Sequence, residues 1–455
     1  MSQSTRERDI ASIFHPFTNP VAHEQQGPLV ITSGKGVWVY DESGKAYIEG
    51  ASGLWCASLG FGEERLIEAS NRQMRTLPFM HLFGSRSTSP AIELSERLLA
   101  LAPVPMSKVF FANSGSEAAD TVVKMVWFYN NALGRTAKKK IIAREDGFHG
   151  STVAAASLTG IRRNHRQFDL PIANIIHAAR PHYYHDALPG ESEEAFSSRM
   201  AESLDKQIVD EGPETVAAFI AEPIMGAGGV LLPPVGYFEK IQTVLAKYDL
   251  LFIADEVICG FGRTGNLWGS QTFGMRPDMI TSAKQLLSAY APISAVLVNE
   301  KVFEVLARGS DEIGTFAHGF TYSGHPVCAA IAVECLKIYE ERDIVNCVRK
   351  IAPRLQDGLR ERFANHSLVG EIRGVGLVAA VELVANKQTR ERFDPSLGVG
   401  AYCFQRAIEH GSILRALGDS IAFSPPLIIT EDEIDQLVDG FAKALDETER
   451  WLAER

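Results

Sequence analysis

The sequence lacks the features of three specialised classes of protein. Its 455 residues include six cysteines but no CxxC pair, a pattern typical of buried thiols in a reducing compartment rather than of a disulfide framework or a zinc site. No run approaches the roughly 18 consecutive apolar residues of a membrane helix, and no long apolar stretch follows the polar N-terminus. We therefore expect a soluble, cytoplasmic protein without a metal site.

Basic residues are also fewer than acidic residues. The chain has 45 Lys and Arg against 56 Asp and Glu, which gives a net charge of −11. An acidic chain has little bulk attraction for nucleic acid or for anionic membranes. Hydrophobic residues at 45% and charged residues at 22% are ordinary for globular proteins and exclude a disordered chain. The expected partners are therefore small molecules, with no nucleic acid and no membrane.

Short apolar segments alternate with longer stretches of helical period. Continuous apolar strands separated by helices predict an α/β domain with a mainly parallel central sheet covered by helices. Strand patterns near both chain ends predict a smaller α/β domain built from residues 1–60 and 325–455, which flanks a large domain of residues 61–324. The predicted strands of the large domain are 108–112, 140–144, 216–222, 250–256 and 293–298, and its predicted helices are 116–133 and 235–248. A further helix is predicted at 327–341, just after the boundary.

A glycine motif at residues 260–265 (GFGRTG) matches GxGxxG and follows a predicted strand. A dinucleotide site requires a helix directly after the motif, whose N-terminus binds the pyrophosphate. The following residues, 266–274, are punctuated by glycine and lack a helical period, and Asp255 and Glu256 stand where the phosphates would approach. A glycine-rich turn is the better interpretation, and an NAD(P)-binding oxidoreductase is the remote alternative.

Residues 112–118 (ANSGSEA) lie between a predicted strand and a strongly helical stretch. The start of a helix offers free N–H groups and the positive end of the helix dipole, which together can bind a phosphate. Gly115 allows close approach, and Ser114 and Ser116 can add hydroxyl donors. Simple N-capping by Ser114, with Glu117 as the first-turn acid, explains the same residues, and both interpretations stay open.

Asp255 and Lys284 suggest further chemical groups of a ligand that carries the phosphate. Asp255 closes an apolar strand, where a carboxylate can meet a protonated ring nitrogen, although a surface acid would give the same pattern. Lys284 is surrounded by apolar or small residues, and desolvation there would lower its pKa and make the amine a nucleophile. A phosphate, a basic ring nitrogen and an aldehyde that reacts with an amine occur together in pyridoxal phosphate.

Eight ordered segments, spread over nearly the whole chain, carry a resemblance to one family. They are residues 53–56 (GLWC), 113–118 (NSGSEA), 146–150 (DGFHG), 221–229 (AEPIMGAGG), 254–265 (ADEVICGFGRTG), 282–284 (SAK), 318–326 (HGFTYSGHP) and 424–427 (SPPL). On these segments the sequence resembles the class III, fold type I pyridoxal-phosphate aminotransferases, most closely the bacterial ω-transaminases that use pyruvate as acceptor.

The resemblance implies a role for individual residues. Lys284 would form the internal aldimine with the cofactor and, once released, carry the proton between substrate and cofactor. Asp255 would keep the pyridine nitrogen protonated, and Ser114, Gly115 and Ser116 would bind the phosphate. Thr321 would complete the phosphate site of the neighbouring subunit, which implies a homodimer and allows a tetramer.

Further residues would support the cofactor and the substrate. Glu222 and Val257 would lie behind the cofactor, with His149 nearby, and Phe148 would stack on the ring where the family usually has tyrosine. Arg415 would bind the pyruvate carboxylate, unless it is an ordinary surface arginine. The aromatic residues Trp55, Phe17 and Phe83 resemble the pocket lining of relatives, although the side chains alone favour a place in the protein core.

The resulting hypothesis is a transaminase that moves an amino group from an amine or ω-amino acid to pyruvate through pyridoxamine phosphate. Other class III aminotransferases (diamine, diaminopelargonate-type or ω-amino acid with 2-oxoglutarate), an aminomutase and a non-catalytic family member are the alternatives. Gln285 and Ala289 replace glycines that are common in the family. We expect no metal at His182 and His185, which have no further ligand nearby in sequence, and we expect residues 138–140 (KKK) to form a solvated helix end.

Overall fold

The computed structural model describes residues 4–455. The strands are β1 (Ile31–Lys35), β2 (Trp38–Asp41), β3 (Ala46–Glu49), β4 (Lys108–Ala112), β5 (Lys140–Arg144), β6 (Ile175–Ala178), β7 (Val216–Ala221), β8 (Leu251–Asp255), β9 (Met279–Ser282), β10 (Ser294–Val298), β11 (Val369–Val375), β12 (Val378–Leu383), β13 (Ser412–Ile413), β14 (Arg415–Leu417) and β15 (Ser420–Phe423). They form one large sheet and two smaller ones.

The helices surround these sheets. They are α1 (Thr5–Ser12), α2 (Pro20–Gln26), α3 (Ser52–Trp55), α4 (Glu64–Thr76), α5 (Ser89–Leu101), α6 (Gly115–Ala132), α7 (Val153–Leu158), α8 (Tyr183–Asp186), α9 (Glu193–Glu211), α10 (Tyr237–Lys247), α11 (Gly269–Phe273), α12 (Glu300–Ile313), α13 (Pro326–Glu341), α14 (Ile344–Phe363), α15 (Val399–Glu409) and α16 (Glu431–Ala453). Four short 3₁₀ helices lie at Phe83–Ser85, Arg162–Asn164, Lys284–Leu287 and Pro395–Leu397. In residues 4–455, no helix is long and apolar enough to cross a bilayer.

The large sheet has seven strands in the order β4-β10-β9-β8-β7-β5-β6. Its strands are parallel except β10, which runs antiparallel to both β9 and β4. The inner strands β7, β8 and β9 are buried throughout, because helices cover both faces of such a sheet. The predicted α/β class with a mainly parallel sheet is confirmed, and the carboxyl ends of β7 and β8 mark the edge where a ligand would bind.

The two smaller sheets contain the strands near the chain ends. One has the order β1-β2-β3-β13, so a strand from the C-terminal part pairs in parallel with β3 near the N-terminus. The other is the antiparallel sheet β11-β12-β15-β14. The division into residues 1–60 with 325–455, and 61–324, stays a prediction, and its first three residues lie outside the described residues.

Residues 138–140 correct the expectation of a solvated helix end. Lys138 is buried, and its ammonium donates to the carbonyls of Tyr248 and Asp249 at 2.9 and 3.0 Å. These carbonyls follow the C-terminus of α10, where unpaired acceptors attract a cation. The chain therefore turns inward after α6, and Lys140 already belongs to β5.

Candidate active site

The start of α6 forms a cup at the edge of the large sheet. Ser114 is the N-cap, and its Oγ accepts from the backbone N–H of Glu117 at 3.1 Å. The predicted capping role is thus present. A hydroxyl that accepts one hydrogen bond keeps its proton for donation, so a second role in phosphate binding stays a prediction.

Close backbone approaches shape this cup. A Cβ atom on Gly150 would lie 2.6 Å from Ser116 Oγ, and one on Gly115 would lie 3.2 Å from the side chain of Val257. Ser116 Oγ accepts from the backbone N–H of Ser151 at 3.0 Å. The first turn of α6 therefore faces Val257 and the segment after His149, and its N–H groups have the arrangement that binds phosphate.

Asp255 is buried at the end of β8 rather than exposed at the surface, with 4% of its surface accessible. Its Oδ2 lies 2.7 Å from Nδ1 of His149, and its Oδ1 accepts from the backbone N–H of Val257 at 3.1 Å. The backbone N–H of His149 in turn donates to Thr159 Oγ1 at 2.9 Å. These bonds fix a carboxylate at the sheet edge, where it can hold a protonated ring nitrogen.

Glu222 supports the same segment from β7. Its Oε1 accepts from the backbone N–H of Phe148 at 2.9 Å, and its Oε2 accepts from Gly226 at 3.0 Å. Burial raises the pKa of this carboxyl, and the nearby Asp255 raises it further. Arg144, fully buried at the end of β5, donates to the backbone carbonyl of Glu222 at 2.6 Å. Glu222 therefore positions Phe148 rather than reaching a ligand through a free oxygen.

Lys284 opens a short 3₁₀ helix after β9 and lies half-buried. Burial lowers the pKa of its amine from the usual 10.5, while the carboxylates of Asp255 and Glu222 act in the opposite direction. Its φ of +46° falls in the left-handed region, which costs an L-residue about 1–2 kcal/mol and is concentrated at functional sites. The backbone at Lys284 is thus strained, and burial shifts its amine toward the neutral, nucleophilic form.

Arg415 begins β14 close enough to Lys284 for its charge to contribute to the lowered lysine pKa. The guanidinium is half-buried, and among the described residues its Nε has no hydrogen-bond partner. Burial lowers its own pKa, and the neighbouring Arg163 lowers it further. A half-buried guanidinium with an unpaired Nε beside the candidate nucleophile differs from a fully exposed surface arginine, and its chemistry suits a carboxylate ligand.

The three predicted pocket aromatics have different surroundings. Trp55 is 3% exposed and belongs to an apolar cluster with Ile224 and Ile258, and its role in the substrate pocket stays a prediction. Phe17 is 71% exposed and meets the ring of Phe148 edge-on at 6.4 Å. Phe83 is half-exposed and packs on Gly319, where a Cβ atom would lie 2.9 Å from its ring.

Thr321 lies exposed in the loop between α12 and α13, two residues after Gly319. Its predicted contribution to the phosphate site of a neighbouring subunit stays a prediction. The exposed aromatic residues around this loop, Phe79 and Tyr322, meet edge to face with ring centroids 5.7 Å apart.

The glycine motif at residues 260–265 is a structural turn. Arg263 is fully buried and donates to the carbonyls of Leu377 and Pro425 and to Ser52 Oγ. One expectation needs correction, because the segment after the motif does contain a helix, α11, five residues long. Its first N–H groups, those of Gly269 and Ser270, donate to Glu256 at 3.0 and 2.6 Å, so the dipole end that a pyrophosphate would need is occupied.

His182 and His185 also differ from expectation, because the fold places a third potential ligand beside them. Glu382, on β12, contacts His185, and donor atoms of the three residues all lie within 4.8 Å of one another. The sequence could not show this proximity, since Glu382 is 197 residues from His185. Arg373 is hydrogen-bonded to Glu382 from the other side.

With this geometry in view, comparison with known proteins identifies the family. The family model for class III aminotransferases matches residues 20–445. The chain belongs to the class III aminotransferases. It is similar to gamma aminobutyrate transaminase 1, mitochondrial, of Solanum lycopersicum, at 50% identity over 96% of this chain and 85% of that one. It is also similar to vanillin aminotransferase of Capsicum chinense, at 49% identity over 100% and 99% of the two chains.

Solved structures show the same relationship. The ω-transaminase of Pseudomonas jessenii in complex with PMP has a TM-score of 0.98, with 56% identity and 99% coverage of both chains. A thermostable variant of the Pseudomonas jessenii enzyme has a TM-score of 0.97 and the same identity. The predicted fold type I architecture, the aminotransferase activity and the use of pyridoxal 5′-phosphate are therefore confirmed.

The residues of this aminotransferase fit that cofactor. The bound group supplies an aldehyde for the amine and an electron-withdrawing ring. The first turn of α6, with Gly115 and Ser116, would hold its phosphate, Asp255 its ring nitrogen and Lys284 its aldehyde. Phe148 supplies an aromatic face without the usual hydroxyl.

Some residues that build this site had no role in the sequence analysis. Arg144 braces Glu222, Thr159 orients His149, and Gln285 donates to the carbonyls of Ile258 and Gly260 at 2.7 and 3.0 Å. The sequence did contain a signal for Arg144, because it is a cation at the carboxyl end of a predicted buried strand, where ligands and site residues of α/β proteins lie. The glutamine that replaces a family glycine thus ties the lysine loop to the turn after β8.

Proposed function

We propose that this aminotransferase transfers the amino group of an apolar amine or ω-amino acid to pyruvate. The observation that carries the proposal is the half-buried guanidinium of Arg415, unpartnered at Nε and electrostatically coupled to Lys284. A planar guanidinium can bind a keto-acid carboxylate through two hydrogen bonds. The similarity to ω-transaminases of known structure supports this acceptor type.

The proposed roles follow from the local surroundings. The amine of Lys284 would hold the cofactor through its aldehyde and would carry a proton to and from the substrate carbon. Asp255, held by His149, would pair with the protonated ring nitrogen. Ser114, Gly115 and Ser116 would bind the phosphate, Val257 and Glu222 would support the ring site, and Phe148 would stack on the ring.

The amine donor has a second candidate. Relatives at 50% identity are named gamma aminobutyrate transaminases, and others at 49% are named vanillin aminotransferases. A 4-aminobutyrate donor would present a carboxylate, which Arg415 could bind in the amine half-reaction as well. The alternative therefore predicts that the same guanidinium serves both substrates.

We propose further that the enzyme works as a homodimer, in which Thr321 of each subunit completes the phosphate site of the other. Its exposed position in the loop before α13 supports this role. Size-exclusion chromatography with light scattering tests the dimer. If Thr321→Ala remains a dimer but binds pyridoxal 5′-phosphate more weakly, the shared site is supported. An unchanged affinity for the cofactor would contradict it.

The proposed cytoplasmic location rests on the scattered cysteines, which lack CxxC pairs. Four relatives are named as mitochondrial or chloroplastic proteins. Cell fractionation of the native host tests the location directly.

The substrate experiment follows the visible spectrum of the purified holoenzyme. Adding 1-phenylethylamine should bleach the cofactor band, and adding pyruvate should restore it. Parallel reactions with 4-aminobutyrate and with vanillylamine rank the donors, and 2-oxoglutarate in place of pyruvate ranks the acceptors. Restoration of the cofactor band by 2-oxoglutarate but not by pyruvate would refute the proposed acceptor. The Lys284→Ala variant, which lacks the reactive amine, serves as the control.

A further inference from the structure

The first two helices lack the usual source of helix stability. We call residues 4–26, which contain α1 and α2, the N-terminal arm. Neither helix has a buried residue, although short helices in proteins owe most of their stability to packing of an apolar face. Helices of eight and seven residues are also too short to be stable alone. Within this chain the arm is joined by polar contacts, among them the hydrogen bond that Arg6 donates to the carbonyl of Gln25 at 2.8 Å.

Three side chains of the arm converge on one point. Nε2 of His15 and Nε2 of His23 lie 2.9 and 3.0 Å from the same oxygen, Oδ1 of Asp9. The imidazole rings are 4.3 Å apart between centroids, and the three ligand atoms all lie within 4.8 Å of one another. The three side chains keep 29%, 11% and 14% exposure for His15, His23 and Asp9, so a hydrated ion can reach them.

The composition of this arrangement and two of its three separations suit a zinc site. Imidazole nitrogen and carboxylate oxygen bind zinc at about 2.0–2.2 Å, which sets neighbouring tetrahedral ligands about 3.3 Å apart. The observed separations from Asp9 Oδ1 to the two histidine nitrogens are within about 0.4 Å of that value. A small rotation of the side chains would therefore admit the ion between them.

We propose that Asp9, His15 and His23 form a zinc-binding site that joins α1 to α2. Three protein ligands leave the fourth tetrahedral position to water. A cavity of about 300 Å³ lies beside the two histidines and has Thr18 and Glu24 in its lining. The cavity gives the ion and its water a route from solvent.

The site would act on the catalytic pocket through Phe17. This residue lies between His15 and His23 in sequence, and its ring meets the edge of Phe148 at 6.4 Å. Metal bound to both flanking histidines would restrict the connecting segment and keep Phe17 over the site. The inference does not depend on which amine or keto acid the enzyme uses.

The cluster of His182, His185 and Glu382 is the poorer candidate. Arg373 donates to both Glu371 and Glu382 there, so a permanent cation already neutralises the carboxylates that a metal would need. No such arginine contact involves the carboxylate of Asp9 among the described residues. We therefore expect the Asp9 cluster to bind the metal and the Glu382 cluster not to bind it.

Cobalt provides a spectroscopic probe of the proposed site. The purified holoenzyme is dialysed against a chelator and titrated with Co²⁺, whose d–d bands in a site of histidine and carboxylate ligands lie at longer wavelength than the cofactor band. We expect one equivalent of bound Co²⁺ per chain, which added Zn²⁺ displaces. Asp9→Asn and His23→Gln should each lose the bands.

Two controls keep the result interpretable. His410→Gln removes another histidine paired with a single carboxylate, Glu447, at 2.9 Å, and should leave the bands unchanged. The cofactor band of each variant verifies that the catalytic domain is folded. Absence of Co²⁺ bands in the wild type, their survival in Asp9→Asn and His23→Gln, or their loss in His185→Gln instead would overturn the proposal.

Discussion

The pair formed by His149 and Asp255 offers a sharp test of how the site holds its cofactor. His149→Leu removes the donor that lies 2.7 Å from Asp255 Oδ2. Asp255 is almost fully buried, so the oxygen left unpaired has little access to replacement water. Asp255 then retains the backbone N–H of Val257 on its other oxygen, but with one donor fewer the carboxylate that would pair with the protonated ring of the cofactor is less well held.

The size of the effect follows from the bond that is lost. A hydrogen bond to a charged group contributes about 1.5–3 kcal/mol, and each 1.4 kcal/mol corresponds to about a factor of ten in affinity. The variant should therefore bind pyridoxal 5′-phosphate about 10- to 150-fold more weakly. His149→Asn, whose amide can donate from nearly the position of Nδ1, should recover most of the affinity.

The assay is an absorbance titration of the apoenzyme with the cofactor. His165→Gln is a matched control, because His165 bonds to the carbonyl of Ala156 at 2.9 Å and does not contact Asp255. Equal affinities of the wild type and of His149→Leu would refute the role assigned to His149. Equal weakening by His149→Leu and His149→Asn would show that packing, rather than the hydrogen bond, is responsible.

Three further predictions concern charged groups. Arg415→Ala should slow the keto-acid half-reaction about 10- to 150-fold by loss of a charged hydrogen bond and spare the half-reaction of 1-phenylethylamine, which has no carboxylate, in stopped-flow measurements; equal losses in these two half-reactions would contradict carboxylate binding. Because burial lowers the pKa of Lys284, cofactor capture by the apoenzyme should reach its plateau below pH 10.5, and a profile centred there would refute this. Burial raises the pKa of Glu256 from 4.5 to about 7, so the folded chain binds this proton more tightly than the unfolded chain does. The free energy of unfolding should therefore fall as the pH rises between these two values, by up to about 3 kcal/mol. Glu256→Gln should flatten that dependence in urea denaturation, and an unchanged slope would contradict it.

Much of the fold was accessible from the sequence because each buried strand forms a continuous apolar run. The predicted strands 108–112 and 140–144 match β4 and β5 at both ends. Helix α10 begins at Tyr237 rather than at 235, because Gly236 precedes it with a φ of +74°. The two-residue strand β13 was not predicted, since it exists only through its pairing with β3 and has too few residues to show a period.

The site was predictable as a set of residues but not as a set of contacts. Asp255 and His149 both belong to recognised motifs, yet they are 106 residues apart in sequence and their hydrogen bond depends on the order of strands in the sheet. The burial of Lys138 had no local signal, because its acceptors follow a helix more than 100 residues away. Tertiary contacts of this kind override the surface preference of lysine.

The neighbouring carboxylates Asp255 and Glu256 show how the same fold separates the proposed ligand-binding acid from a structural one. Asp255 ends β8 and Glu256 follows it, and successive side chains of an extended chain point to opposite faces, so the two carboxylates have different surroundings. Asp255 faces His149, whereas Glu256 faces inward and accepts from Gly269 and Ser270. The carboxylate that faces inward occupies the start of α11 and thereby excludes a dinucleotide from the glycine motif. The alternation of the strand thus accounts both for the aminotransferase site and for the failure of the competing oxidoreductase interpretation.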